Sequence, residues 1–174
     1  MTLKELQQKN QYSTDKEFSH HYLGVYDELF ARFQNKKIIL LEVGYATGGS
    51  VDLWKDYFKK GFVICIDIDG RGFKEHGDRV TLIESDINEI TPEGMEGIDI
   101  DIAIDDGSHL VKDQIAFIKL LWPVMKKGGL LIVEDIFDIW HIKENFAEID
   151  IPYEIIDLRE ESGYPDSVLL IFRK

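Results

Sequence analysis

The fold of this chain is decided by one stretch of sequence, Ile38-Ile39-Leu40-Leu41-Glu42-Val43-Gly44-Tyr45-Ala46-Thr47-Gly48-Gly49-Ser50. Its branched apolar run predicts a β-strand that is buried on both faces. The glycines that follow let the backbone approach a ligand closely, because no Cβ is in the way. Ser50 then begins an amphipathic helix with Leu53, Trp54 and Phe58. The stretch therefore predicts a strand, a ligand-binding turn and a helix.

The spacing of these glycines separates two classes of cofactor. Dinucleotide-binding enzymes use G-x-G-x-x-G, which admits a pyrophosphate, but Tyr45 and Ala46 follow Gly44 here. With Glu42 included, the spacing is E-x-G-x-x-x-G, which resembles the first motif of class I S-adenosylmethionine (SAM) methyltransferases. A tight strand-to-helix turn without a ligand fits the same residues, so other motifs of the chain must distinguish a SAM-binding turn from a purely structural one.

Length and composition indicate one globular domain. The chain has 174 residues, of which 44% are hydrophobic, and such a chain suits a single core. We expect one domain over residues 1–174, with residues 1–35 as an N-terminal helical segment or lid. We find no signal-peptide core and no apolar stretch of bilayer length, so we expect no membrane partner. The single cysteine, Cys65, fits a reducing compartment and predicts a cytoplasmic protein.

The chain is strongly acidic, with a formal net charge of −13. Such a field repels phosphate backbones, so we expect no nucleic-acid partner. It favours divalent cations and the cationic sulfonium of SAM, but the net charge alone decides neither point.

Alternating strands and helices follow the first turn and predict an α/β fold with a mostly parallel seven-stranded sheet. The further strands are predicted at Phe62–Asp67, Val80–Ile83, Ile100–Ile104, Leu130–Val133, Tyr153–Leu158 and Val168–Phe172. A short loop joins the last two strands, which predicts an antiparallel C-terminal edge strand.

Helices are predicted where apolar residues recur at helical spacing. The first begins at Thr14 or Asp15, either of which could cap it, and ends near Phe33. Two more are predicted from about Leu110 to Met125 and from about Ile139 to Ala147. On the N-terminal helix, Lys16, His20 and His21 could bind the carboxylate of a cofactor. The alternative is a capped helix that packs on the sheet edge without binding a ligand.

Acidic residues after the second and third strands are candidates for binding a nucleoside. Asp67 lies about twenty residues past the glycine turn, where nucleotide-binding α/β units place a carboxylate for the ribose hydroxyls. Asp86 could accept a hydrogen bond from the adenine amino group while Ile87 packs against the ring. An exposed loop acid is the alternative interpretation of each.

The fourth and fifth strands both end in acidic pairs, and the carboxyl ends of parallel strands open onto one rim. We therefore expect Asp106, Glu134 and Asp135 to converge. Neighbouring carboxylates repel each other unless a cation neutralises them, and all-oxygen ligands favour Mg²⁺, with Mn²⁺ as a substitute. His109 follows in the same loop and is suited to proton transfer near neutral pH. Helix capping by Asp106 and a loop histidine without function are the alternatives.

Asp105-Asp106-Gly107-Ser108-His109, with Glu134-Asp135 closing the next strand, resembles the magnesium- and SAM-dependent sugar O-methyltransferases of macrolide biosynthesis, the mycinamicin and macrocin O-methyltransferase type. Thr14-Asp15-Lys16, followed by His20 and Tyr22, resembles the N-terminal motif of that family. The likeness covers roughly residues 13–140.

The resemblance implies a Rossmann-like three-layer sandwich, with Asp106, Glu134 and Asp135 as metal ligands and His109 as general base. It implies a SAM site lined by Glu42, Gly44, Asp67, Asp86 and Asp105. We expect the same site to include Thr14, Lys16, His20, Gly48, Ser50, Ile68 and Ile87.

We therefore expect a SAM-dependent, divalent-metal-assisted O-methyltransferase that acts on a hydroxyl of a sugar or a sugar-containing natural product. A catechol or another small vicinal diol is the alternative acceptor, and a non-catalytic SAM-binding module is the alternative from a different class. Lys127 stands where a proline often precedes the two glycines in the family, and the chain lacks the extra domain of some members. The acceptor and the oligomeric state, a homo-oligomer included, therefore stay open.

Overall fold

Seven strands form one sheet in the computed structural model, which describes residues 1–174. In chain order they are β1 (Ile39–Val43), β2 (Phe62–Asp67), β3 (Val80–Glu84), β4 (Ile100–Asp105), β5 (Met125–Val133), β6 (Tyr153–Asp157) and β7 (Val168–Arg173). Across the sheet their order is β3-β2-β1-β4-β5-β7-β6. The first five strands pair in parallel, and β7 is antiparallel to both β5 and β6. The predicted fold class is confirmed.

Helices cover both faces of the sheet. They are α1 (Leu3–Asn10), α2 (Tyr22–Phe30), α3 (Gly49–Tyr57), α4 (Val111–Leu121), α5 (Ile142–Asn145) and α6 (Arg159–Ser162). Successive side chains of β1 point to opposite faces, so Leu40 joins the core beneath α1, α2 and α3, whereas Leu41 joins the core beneath α4 and α5. The sheet is thus the middle of three layers. No helix combines the length and the apolar character that crossing a membrane would need.

The predicted N-terminal helix is wrong in its first half. Residues 13–20 form an irregular segment of turns and bends, and α2 begins only at Tyr22. Lys16 is fully buried, whereas Phe18 is 71% exposed, although its helical spacing from Tyr22 would place both on one packed face. The tertiary contacts of Lys16 therefore override the local helical pattern. The segment lies at the carboxyl end of the sheet without regular secondary structure.

Two other boundaries differ from the prediction. The helix expected to reach Met125 ends at Leu121, because Pro123 has no N–H to donate and follows in a 3-10 turn, after which β5 begins at Met125. The helix expected over residues 139–147 is only a 3-10 turn, Ile139–His141, followed by the single turn of α5.

Burial predicts that Trp54 and Trp140 differ in their contribution to the free energy of unfolding. Trp54 on α3 is fully buried against Tyr26 and Phe30, with ring centroids 5.7 and 5.8 Å away. Trp54→Ala should lower the free energy of unfolding by about 3–5 kcal/mol, because it leaves a cavity that neighbours fill only in part. Trp140→Ala is the matched control, since this tryptophan is 82% exposed, and its effect should stay within about 0.5 kcal/mol in urea titrations. Equal losses for the two variants would contradict this description of the core.

Candidate functional site

A cavity of about 850 Å³ opens at the carboxyl ends of the parallel strands. Its walls come from the N-terminal segment, the glycine turn after β1 and the loops after β2, β3 and β4. Of the residues assigned to the SAM site from the sequence, those that line it are Thr14, Gly44, Ser50, Asp67, Ile68, Asp86, Ile87 and Asp105. A volume of this size is typical of a site for a cofactor-sized ligand.

The glycine turn is a close-packed junction of protein segments. Gly44 has a φ of +101°, and a Cβ at this position would lie 1.9 Å from the backbone oxygen of Asp106. A Cβ on Gly49 would lie 2.0 Å from the backbone oxygen of Ser13. These two glycines therefore admit the end of β4 and the N-terminal segment, which brings both segments to the cavity wall.

The wall formed by the loops after β2 and β3 has the groups that a nucleoside requires. The Asp67 carboxylate is held by the backbone N–H groups of Tyr45 and Asp69, at 2.7 and 2.9 Å. Asp86 accepts hydrogen bonds from Asn88 through one oxygen only. Exposed Ile68 lies next in sequence to Asp67 and also lines the cavity. Carboxylates beside apolar side chains fit a ribose and an adenine ring.

Asp105 adds a buried oxygen without a partner to the same wall. Its Oδ1 accepts a hydrogen bond from the backbone N–H of Gly107 at 3.2 Å, whereas its buried Oδ2 has no donor. Burial raises the pKa of this carboxyl to about 7, although the Gly107 N–H opposes the shift. Buried polar oxygens are nearly always hydrogen-bonded in proteins, so a donor on a bound ligand fits this position.

Four residues assigned to the SAM site from the sequence lie outside the cavity wall. Lys16 and Glu42 are buried behind it, and Ser50 Oγ donates to Glu42 Oε2 at 2.8 Å. Burial raises the pKa of the Glu42 carboxyl to about 7, with the charge of Lys16 opposing the shift. His20 is buried with Nδ1 at 3.0 Å from the Ser167 hydroxyl, and Gly48 precedes α3 with a φ of +80°.

Asp106, His109 and Asp135 form a cluster in which one ligand atom of each lies within 4.8 Å of the others. The backbones of His109 and Asp135 are both in the left-handed region, with φ of +58° and +57°. Such conformations cost free energy in residues other than glycine and concentrate at functional sites. This cluster stands at the cavity, because Asp106 and His109 also belong to the wall. Its donor set of carboxylates and an imidazole suits a divalent cation.

Glu134, the third acid predicted to converge here, is held by donors from the N-terminal segment and α2. Both of its oxygens accept hydrogen bonds from Lys16 Nζ, at 2.8 and 2.7 Å, and the Tyr26 hydroxyl also donates to it. The side chain of Lys16 links Glu134 to Asp106, since its Nζ also lies 2.7 Å from Asp106 Oδ2.

Hydroxyl donors to the acids are a feature that the sequence did not predict. Tyr22 donates to Asp135 Oδ1 at 2.7 Å, and Tyr26 donates to Glu134. Both tyrosines belong to α2, and the motif that includes Tyr22 implied no role for its hydroxyl. A pattern of apolar spacing cannot reveal where a buried hydroxyl points, so no signal in the sequence identified these two donors.

Comparison with known proteins agrees with this fold. A family model described as a methyltransferase domain matches residues 41–136, more than half of the chain. This match spans the glycine turn, β2, β3, β4 and the acids that follow β5.

Curated relatives are sugar O-methyltransferases. The chain is 31% identical over 137 residues to 8-demethyl-8-alpha-L-rhamnosyl tetracenomycin-C 2'-O-methyltransferase of Streptomyces olivaceus, covering 72% of this chain and 35% of the relative. It is 32% identical over 134 residues to mycinamicin VI 2''-O-methyltransferase of Micromonospora griseorubida, covering 69% and 32%. The chain therefore spans about a third of the length of the curated relatives it matches.

A solved structure has a similar fold. The MycE methyltransferase from the mycinamycin biosynthetic pathway, in complex with Mg and SAH, superimposes with a TM-score of 0.69 at 30% identity, over 83% of this chain and 39% of that one. The architecture and the matched residues lead to one conclusion: the chain belongs to the family of methyltransferase domains that the family model describes.

Proposed function

We propose that this chain is the SAM- and metal-binding part of an O-methyltransferase, acting on a hydroxyl of a sugar or sugar-containing small molecule. The observation that carries the proposal is a cluster of acids and a histidine at the edge of a cofactor-sized cavity. The curated relatives methylate hydroxyls of sugar-bearing compounds according to their names. A single domain over residues 1–174 and a cytoplasmic location belong to the same proposal.

We assign roles in cofactor binding to residues of the cavity wall. When bound, SAM supplies a methyl group on a positively charged sulfur. Asp67 would accept hydrogen bonds from the ribose hydroxyls, and Asp86 with Ile87 would hold the adenine. The unpartnered oxygen of Asp105 would accept a hydrogen bond from a donor of the cofactor. Together these residues would orient the cofactor relative to the acid cluster.

The acids at the ends of β4 and β5 would hold a divalent cation, Mg²⁺ or Mn²⁺. When bound, such an ion supplies a Lewis acid that orients hydroxyl oxygens and stabilises negative charge on them. We assign Asp106, Glu134 and Asp135 as its ligands and His109 as the base. A second arrangement has His109 as a ligand in place of Glu134, and the cluster of Asp106, His109 and Asp135 supports it. Glu134 would then only accept hydrogen bonds from Lys16 and Tyr26.

His109 is suited to accept a proton from an acceptor hydroxyl. Its side chain is 33% exposed and lines the cavity, so a substrate can reach it. Its Nδ1 lies 3.7 Å from Asp135 Oδ2, so this carboxylate can stabilise the imidazolium that proton transfer creates.

His109→Asn tests the role of this histidine, since asparagine tolerates the left-handed backbone at this position. Turnover with a sugar acceptor should fall about 10²–10⁴-fold, as expected for loss of a general base, while Mn²⁺ and SAM affinities stay unchanged. The readouts are S-adenosylhomocysteine release and calorimetric titration. His141→Asn, at an exposed position, is the control. A large loss of Mn²⁺ affinity would instead favour His109 as a ligand.

Asp106→Asn tests the metal site. This acid belongs to both proposed ligand sets. The substitution should therefore lower Mn²⁺ affinity on the order of 100-fold or more, through the loss of a charged ligand. Turnover of the variant should no longer depend on added metal. Calorimetry and activity in a chelator measure the two effects. Asp99→Asn, at an exposed acid before β4, should change neither. Wild-type turnover that survives chelation would refute the metal proposal.

Asp67→Ala tests the cofactor site with a neighbouring acid as control. SAM affinity should fall about tenfold or more, since a hydrogen bond to a charged group contributes about 1.5–3 kcal/mol. Asp69→Ala should bind SAM like the wild type, because Asp69 lies outside the cavity wall and pairs with Arg71. Thermal unfolding with and without SAM measures both. Equal losses for the two variants would count against the assigned site.

Two other functions remain to be separated from this proposal. Catechols and other vicinal diols present the same pair of neighbouring hydroxyls to a metal ion. A non-catalytic SAM-binding module would bind the cofactor without turnover. Release of S-adenosylhomocysteine in the presence of sugars, of catechols or of neither acceptor distinguishes the three.

A further inference from the structure

Lys16 is a buried ammonium group surrounded by carboxylates. Its side chain has no exposed surface, and its Nζ lies 2.7 Å from Asp106 Oδ2, within 2.8 Å of both Glu134 oxygens and 3.5 Å from Glu42 Oε1. Carboxylates at these distances favour the charged form of a lysine, so Lys16 is the cation of an ion-paired cluster.

The hydrogen bonds of Lys16 determine which other groups its ammonium group can bind. An ammonium group has three N–H donors, and three hydrogen bonds are already made, one to Asp106 and two to Glu134. No donor is left for the carboxylate of a cofactor. The ammonium group contacts the acids at the ends of β4 and β5, while residues 12–15 line the cavity.

The same ammonium group lies beside carboxylates that the proposed function assigns to a metal ion. It holds the Oδ2 of Asp106, and it links Asp106 to Glu134 across the gap between two strands. A divalent ion bound to either acid must share it with this positive charge. The two cations repel each other, and the repulsion is substantial because few water molecules screen a buried group.

We propose that Lys16 is a positioning residue that acts as a permanent counter-cation of the acid cluster, holding the carboxylates of Asp106 and Glu134 in place and weakening the binding of the divalent ion to them. The inference rests on the metal site of the proposed function. Lys16 stabilises the fold before the ion binds, since unpaired buried carboxylates are strongly destabilising. It also keeps the site from binding the ion as tightly as its acids alone would.

Lys16→Met tests this role, because methionine keeps most of the side-chain length without the charge. The variant should have a lower unfolding midpoint than the wild type in a chelator. It should bind Mn²⁺ about tenfold more tightly or better, through the loss of charge repulsion, and should gain a larger midpoint increase from Mg²⁺. Calorimetric titration with Mn²⁺ and thermal unfolding measure these effects. Lys119→Met, at an exposed lysine of α4, should match the wild type.

The outcomes separate this inference from the proposed function. Wild-type protein that binds no Mn²⁺ would overturn the metal site and this inference together. Wild-type binding with equal or weaker binding by Lys16→Met would overturn the inference alone. A purely structural lysine would lower the midpoint equally with and without Mg²⁺, which is also contrary to the proposal.

A second background keeps the test decisive if Lys16→Met fails to fold. In Glu134→Gln, the lysine has one charged partner fewer, so its removal leaves fewer unpaired carboxylates. Adding Lys16→Met to Glu134→Gln should again tighten Mn²⁺ binding relative to Glu134→Gln alone. Unchanged or weaker binding in that pair would overturn the inference.

Discussion

The burial of carboxylates at the ends of β4 and β5 is the constraint on which the rest of this structure depends. Buried charges are costly unless they are paired and hydrogen-bonded. Lys16 supplies the paired charge, and Tyr22 and Tyr26 supply hydroxyl donors from α2. The N-terminal segment and α2 are therefore parts of the acid site as much as they are a cover for the sheet.

This constraint also explains the close packing around the glycine turn. Gly44 admits the backbone of Asp106, and Gly49 admits Ser13, so three distant parts of the chain meet beside one cavity. The cofactor wall and the acid cluster consequently share one junction. A displacement of the segment that carries Lys16 would disturb both, because Asp106 and His109 belong to the cavity wall and to the acid cluster.

Repeating patterns in the sequence were enough to predict the sheet. The run Phe62–Asp67 was predicted with the same bounds that β2 has, and the short loop before β7 predicted that this strand is antiparallel to β6. The failures share a physical cause. Residues 13–20 have helical spacing but bend so that Lys16 can reach the acids, and Pro123 ends α4 early. In both places, a specific contact or a missing donor outweighs local propensity.

The sequence alone was enough to predict the order of elements and the rim where the acids lie. It could do so because strand ends in a parallel sheet are fixed by topology. Only the tertiary structure decided that Asp106, His109 and Asp135 share one cluster, and that Lys16 and Tyr26 hold Glu134. Side-chain direction at an irregular loop depends on neighbours that are distant in sequence, and spacing along the chain carries no information about them.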